Sequence, residues 1–130
     1  MAEEIAPDSQ IITHQLGLDG PFPNHPHWPL MIYKQAIQPA SGEMAELMEQ
    51  VFEANDWGGA WRNGVFSFQH FHSNAHEVLG VCGGSAKIQF GGPNGPVVSV
   101  EAGDVAILPA GTAHCNVGSD RGFRVIGAYP

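Results

Sequence analysis

The segment Gly64-Val65-Phe66-Ser67-Phe68-Gln69-His70-Phe71-His72-Ser73-Asn74-Ala75-His76-Glu77-Val78-Leu79-Gly80-Val81-Cys82-Gly83-Gly84 decides how the rest of the chain is read. Residues 65–72 read as a strand, so His70 and His72 project from one face together with Phe66 and Phe68. Two imidazoles on one face can chelate one ion, above apolar walls supplied by the two phenylalanines. After the loop Ser73-Asn74-Ala75, a second strand over 77–81 puts Glu77 in step with Leu79 and Val81, the parity of an interior face. His76 has the opposite parity. One of the pair, Glu77 or His76, meets the histidines; the other makes an outer hydrogen bond or faces solvent.

Downstream, Leu108-Pro109-Ala110-Gly111-Thr112-Ala113-His114 delivers another histidine from a turn. Three imidazoles and one carboxylate make a borderline-hard nitrogen and oxygen set. It suits one divalent transition-metal ion, Fe, Mn, Co, Ni, Zn or Cu, and ligand identity does not choose among these. A soft-metal site would call for thiolates, and Cys82 and Cys115 are not spaced to supply them. Asn116 shares parity with His114 and is a candidate for the pocket lining. Arg62, just before Gly64, is another; with Lys34 it can meet a substrate carboxylate. His25 and His27 lie in a proline-broken loop that does not preorganise two imidazoles, and are read as loop residues.

Around these segments the chain reads as short strands. Ala86, Ile88 and Phe90 alternate with Ser85, Lys87 and Gln89, the cleanest half-buried strand of all. Further strands are expected over 11–16, 30–37, 97–101, 105–108, 114–117 and 123–129, with glycine turns at 82–84 and 91–96. The second turn lacks the lysine and following helix of a phosphate loop. One helix is expected near residues 42–54. Ser41 can cap it, Glu43 sits in its first turn, and Met44, Leu47, Met48, Val51 and Phe52 form its apolar stripe. Asn55, Gly58 and Gly59 end it. Strands this short and evenly spaced predict an all-β sandwich or barrel.

Composition bounds the function. A chain of 130 residues is enough for one domain, here N-terminal strands and helix over 11–55 and a barrel core over 64–129. The formal net charge is -8, with only 5 Lys and Arg, which argues against nucleic acid and anionic membrane surfaces as partners. The acidic start Met1-Ala2-Glu3-Glu4 lacks the profile of a secretory signal, and no apolar run is long enough to span a bilayer. A cytoplasmic protein with two free thiols is the expectation.

Both histidine segments also fit known signatures. Gly64, His70, His72, Glu77 and Gly84 match G-x5-H-x-H-x(3,4)-E-x6-G. Gly103, Pro109, Gly111 and His114 match G-x5-P-x-G-x2-H-x3-N, with Gly118 where the motif has Asn. In these residues the chain resembles the cupin superfamily. The stretch from His70 to Val81, together with Ala102-Gly103-Asp104-Val105, Leu108-Pro109-Ala110-Gly111-Thr112 and Gly127-Ala128-Tyr129-Pro130, is similar to single-domain bacterial cupins of unassigned function. The resemblance implies a double-stranded β-helix, a jelly-roll-like barrel. It implies a metal inside the barrel mouth on His70, His72, Glu77 and His114. The departure at Gly118 touches a pocket contact, not the metal set. Relatives continue past the last segment, so a lid or edge strand is expected to be missing here.

The functional expectation is a small-molecule metalloenzyme of the dioxygenase, isomerase or decarboxylase type. Its class would be oxidoreductase, isomerase or lyase. The competing expectation is a non-catalytic, metal-loaded binding or sensor module. A small-molecule ligand and a homodimer formed through the N-terminal strands are expected partners. The same fold hosts many chemistries, so the substrate does not follow from it.

Overall fold

The computed structural model describes residues 10–39 and 43–130. Its elements, in order, are β1 (Ile11–His14), β2 (Leu30–Tyr33), α1 (Met44–Ala54), β3 (Gly58–Asn63), β4 (Glu77–Gly83), β5 (Ser85–Phe90), β6 (Val97–Glu101), β7 (Val105–Leu108), β8 (His114–Ser119) and β9 (Arg124–Tyr129). Two sheets result, with strand orders β1-β2-β7-β4-β9-β3 and β6-β5-β8. Every pairing is antiparallel. The chain is thus the all-β barrel its strand pattern predicts, and β1 and β2 belong to the same sheet as the core strands.

Alternation along β4 divides the interior in two. Leu79 and Val81 point inward and meet Leu30, Ile32, Ile88, Phe90, Leu108 and Val125 between the sheets. Val78 points outward and packs with Ile126, Ala128 and the α1 stripe Leu47, Met48, Val51 and Phe52. Gly80 lies on that outer face because α1 passes too close for a side chain. A Cβ there would fall 2.7 Å from Met48 Sδ and 2.8 Å from Phe52 Cζ. Gly84, at φ +64°, turns β4 into β5 and so carries the chain from one sheet to the other. A void of about 20 Å³ lies among Leu79, Val81, Ile88 and Phe90. The lower barrel is therefore filled with side chains.

Four local expectations are corrected. Residues 65–72 do not form a regular strand; the chain there is an extended arm beside β8, held at intervals. Asn116 N–H donates to Phe66 O (2.8 Å), His70 and His114 exchange backbone bonds (3.1 and 2.9 Å), and Gly111 N–H donates to His72 O (2.7 Å). The strand that covers β9 is instead β3, built from the glycine pair read as a helix stop. The helix ends earlier, at Ala54 with Asn55 as its C-cap, and Trp61 behind the glycines gains a site: its indole lies on Gly127, where a Cβ would come within 2.1 Å of the ring. Third, β2 stops at Tyr33 rather than 37. Gln35 adopts φ +53°, and its N–H donates to the Asp104 carboxylate at 2.8 Å. Finally, the α1 N-cap is Glu43, without a side-chain capping bond. Ser41, the expected cap, lies outside the described residues.

Candidate metal centre

Glu77 opens β4 on the inner face, just 2% exposed. Both of its carboxylate oxygens are buried without a hydrogen-bond partner. Its Oε1 lies 3.7 Å from His72 Nε2 and 3.7 Å from His114 Nε2. Burial raises the carboxyl pKa above its ordinary value, while the nearby Tyr129 hydroxyl and His70 pull it back. Tyr129 is close enough to polarise the carboxylate, but the two form no hydrogen bond of good geometry.

His114 opens β8 and is buried. Its Nδ1 lies 3.2 Å from Thr112 O, so that nitrogen carries the proton and the Nε2 lone pair faces Glu77. Burial holds the His114 pKa down at about 4, so the ring is neutral at pH 7. His70 lies on the arm, with ring centroids 4.8 Å from His72 and 5.6 Å from His114. Burial and the neighbouring His72 lower its pKa too, against the pull of Glu77. The His72 side chain is 33% exposed, so the cluster opens to solvent on that side.

The turn after β7, which leads into His114, is braced from several directions. Ala110 N–H donates to His76 Nδ1 at 2.9 Å. Asn24 N–H donates to Gly111 O at 2.9 Å. The Asn24 side chain donates to Gly17 O (2.7 Å) and Gly91 O (2.8 Å) and accepts from Ala113 N–H (3.1 Å), the residue before His114. Gly111 takes φ +91°, and a Cβ there would press to 2.8 Å from Asn24 O.

Of the candidate residues, His70, His72, Glu77 and His114 are brought together. His76 is on the other face, beside Trp28 and His25 (centroids 5.3 and 6.1 Å), so between the two neighbours it is Glu77 that faces the histidines. Phe66 and Phe68 are not buried walls: they are 54% and 58% exposed and stack on each other at the rim. Only Phe66 meets a site histidine, His70, at 5.1 Å. Their expected burial assumed a regular strand over 65–72, which does not form. Asn116 is turned away from the pocket, toward Ser119 Oγ (3.0 Å) and Gly118 N–H (2.9 Å). Arg62 also lies elsewhere. With Trp61 inward, it points out beside α1 and pairs with Glu49 (2.6 Å) and Glu43 (3.4 Å). Lys34 is engaged with Asp104 and with Ser99 O. His25 Nδ1 accepts the backbone N–H groups of His27 and Trp28, at 3.1 and 2.9 Å, which commits it to its own loop.

Three residues at or beside the site were not anticipated: Asn24, Tyr129 and Trp61. The Tyr129 hydroxyl lies 3.4 Å from His72 Nε2. Its parity with Val125 and Gly127 on β9 was the available signal. Asn24 left a fainter one, an asparagine in a proline-rich loop, which takes φ +51°.

Do these residues fit a metal ion? Among the described residues no group of three or more His, Cys, Asp or Glu stands, as placed, in an arrangement that could hold a metal ion. Yet donors sharing a tetrahedral ion at ~2.1 Å stand roughly 3.4 Å apart. The 3.7 Å separations from Glu77 to His72 and to His114 are only a little wider than that. Unpartnered buried oxygens beside the neutral His114 imidazole are what a cation would satisfy. The donor set fits.

An antiparallel barrel whose two histidine segments meet at one end defines a recognisable class of protein. The cupin family model matches residues 62–128, and the chain belongs to the cupin family. It is 39% identical over 112 residues to the uncharacterized protein YjlB of Bacillus subtilis (strain 168), a match covering 86% of this chain and 65% of that protein. The chain thus spans just under two thirds of that relative's length. Among solved structures, a DUF861 family protein from Thermotoga maritima is 19% identical, with a TM-score of 0.48, covering 78% of this chain and 99% of that one. No helix among the described residues is long and apolar enough to cross a membrane.

Proposed function

We propose that this cupin holds one divalent transition-metal ion through His70, His72, Glu77 and His114, and acts with it on a small oxygen-rich molecule. The observation that carries the reading is Glu77: a buried carboxylate with both oxygens unpartnered, 3.7 Å from the Nε2 atoms of two histidines. Such a group costs stability unless something satisfies it. When bound, the ion supplies Lewis-acid or redox chemistry at positions the protein leaves open. The chain's own part is to keep His114 neutral through burial, to fix its tautomer through Thr112 O, and to balance the ion's charge with one carboxylate. Dioxygenation, isomerisation or decarboxylation of a small acid is the reaction class that suits this set.

A second reading, a metal-loaded binding or sensor module, draws on the filled barrel below the site and the solvent-open side at His72. A ligand there need not be enclosed. The decisive experiment is elemental analysis of untagged protein beside His72→Ala and His114→Ala. About one equivalent of transition metal, lost in both folded variants, supports the reading. A wild type that holds no metal and refuses added metal refutes it. Turnover, for instance dioxygen consumption with a substrate, then separates the enzyme from a module that only shifts its melting temperature.

A further inference from the structure

Tyr129 stands on the inner face of β9. The pairing Val78↔Ala128 and Leu79↔Gly127, carried one step further, sets it beside Glu77. Its ring meets the His72 ring edge to face, centroids 5.4 Å apart. Its hydroxyl lies 3.4 Å from His72 Nε2, the nitrogen that also faces Glu77. Behind it Trp61 lies over Gly127, and the buried Trp61 Nε1–H has no hydrogen-bond partner. The phenol therefore stands against the side of the cluster that opens to solvent, with the buried indole packed behind it.

A single lone pair on His72 Nε2 can accept the phenol proton or bind a metal ion, but not both. An ion held by His72 Nε2 would leave the Tyr129 hydroxyl without that acceptor. The Tyr129 hydroxyl also interacts with the Glu77 carboxylate, so once Glu77 Oε1 is engaged, an oxygen of a ligand entering from solvent competes with the remaining Glu77 oxygen for the phenol proton. No arginine or lysine takes this role among the cations placed above: Arg62 is paired with Glu49 and Glu43, and Lys34 with Asp104. An anion arriving here has the ion and neutral donors to bind.

We propose that Tyr129 is the ligand-recognising residue of the site. Released from His72 Nε2, its hydroxyl donates to an anionic oxygen of a small carboxylate-bearing molecule, and Trp61 Nε1–H supports the phenol oxygen from behind. This rests on the metal-binding reading above.

The test uses untagged protein loaded with cobalt(II) and titrated with acetate, followed through the visible absorption of the cobalt. Wild type is compared with Tyr129→Phe and Trp61→Phe. Cobalt affinity is expected to stay within about threefold in Tyr129→Phe, while acetate affinity falls roughly tenfold or more, the worth of one hydrogen bond to a charged acceptor. Trp61→Phe is expected to weaken acetate less, since it acts through the phenol. Unchanged acetate affinity in both cobalt-loaded variants overturns the proposal and leaves the metal site standing. A wild type that takes up no cobalt overturns the metal reading, and this proposal with it.

Discussion

Replacing Glu77 with leucine should make the metal-free protein more stable. The side chain is 2% exposed and neither oxygen has a partner, so the folded state carries an uncompensated polar group. Leaving such a group unsatisfied costs about 1–3 kcal/mol, and exchanging buried ionic groups for apolar ones commonly gains about 1–4 kcal/mol. The branched leucine returns part of this as imperfect packing. A net gain of about 2 kcal/mol is expected, or roughly 6–8 °C in melting temperature for a domain of this size. The gain must depend on pH. Burial raises the Glu77 pKa in the folded protein above its unfolded value. The native state thus holds that proton more tightly and loses stability as pH rises through the raised value. The advantage of Glu77→Leu is therefore largest near neutral pH and shrinks toward pH 4. Glu77→Gln, still polar and unpartnered, should fall between the two. The assay is thermal unfolding in chelator across this pH range. With metal added, the order reverses: wild type gains stability by mass action and Glu77→Leu gains little. A Glu77→Leu variant less stable than wild type in chelator at neutral pH would refute the argument that this carboxylate is orphaned.

Further outcomes follow from other parts of the structure. Asp104 is 1% exposed and accepts from the Gln35 and Glu101 N–H groups as well as Lys34, so Asp104→Ala should cost about 3 kcal/mol or more in chemical denaturation; a loss under 1 kcal/mol contradicts the network. Asn24→Ala removes three side-chain bonds beside His114 and should weaken metal uptake about tenfold or more while the circular dichroism spectrum stays that of a β protein; unaltered metal affinity shows that the loop does not set the ligand. His114, held at about 4, takes up its proton far more readily when unfolded, so metal-free protein should lose about 3 kcal/mol as pH falls from 6.5 to below 4. His114→Gln should flatten that part of the profile, and an unchanged profile excludes His114 as its source. A homodimer formed through β1, the edge strand of the larger sheet, should dissociate in Ile11→Lys; sedimentation of the wild type as a monomer rules it out.

The parts of this protein that sequence made legible are those where one periodicity serves one environment. β5 alternates cleanly because it has one face on the barrel interior and one toward solvent. The α1 stripe shows because a single face of the helix meets the sheet. Glu77 was distinguished from His76 only by parity with Leu79 and Val81, and that parity holds. Legibility failed where tertiary packing outweighs local preference. β3 has little strand character of its own and forms because β9 offers it an edge and Gly127 offers Trp61 a seat. The arm carrying His70 and His72 is straightened by spaced bonds to β8, not by a full ladder, so strand parity misplaced Phe66 and Phe68 while still bringing the histidines together. Tyr129 and Asn24 escaped notice because their importance depends on residues far away in sequence.

Asn24 has a consequence for how the site is assembled in time. Its side chain joins positions 67 and 89 residues away, so those bonds require long loops to close before they contribute anything. The proposed ligands all lie within 62–128, the span the family model matches, whereas Asn24 lies before it. His114 is thus expected to reach its working orientation late in folding, when the N-terminal loop docks. A shortened chain beginning after residue 29 would carry every proposed ligand and still lack the brace that aims one of them.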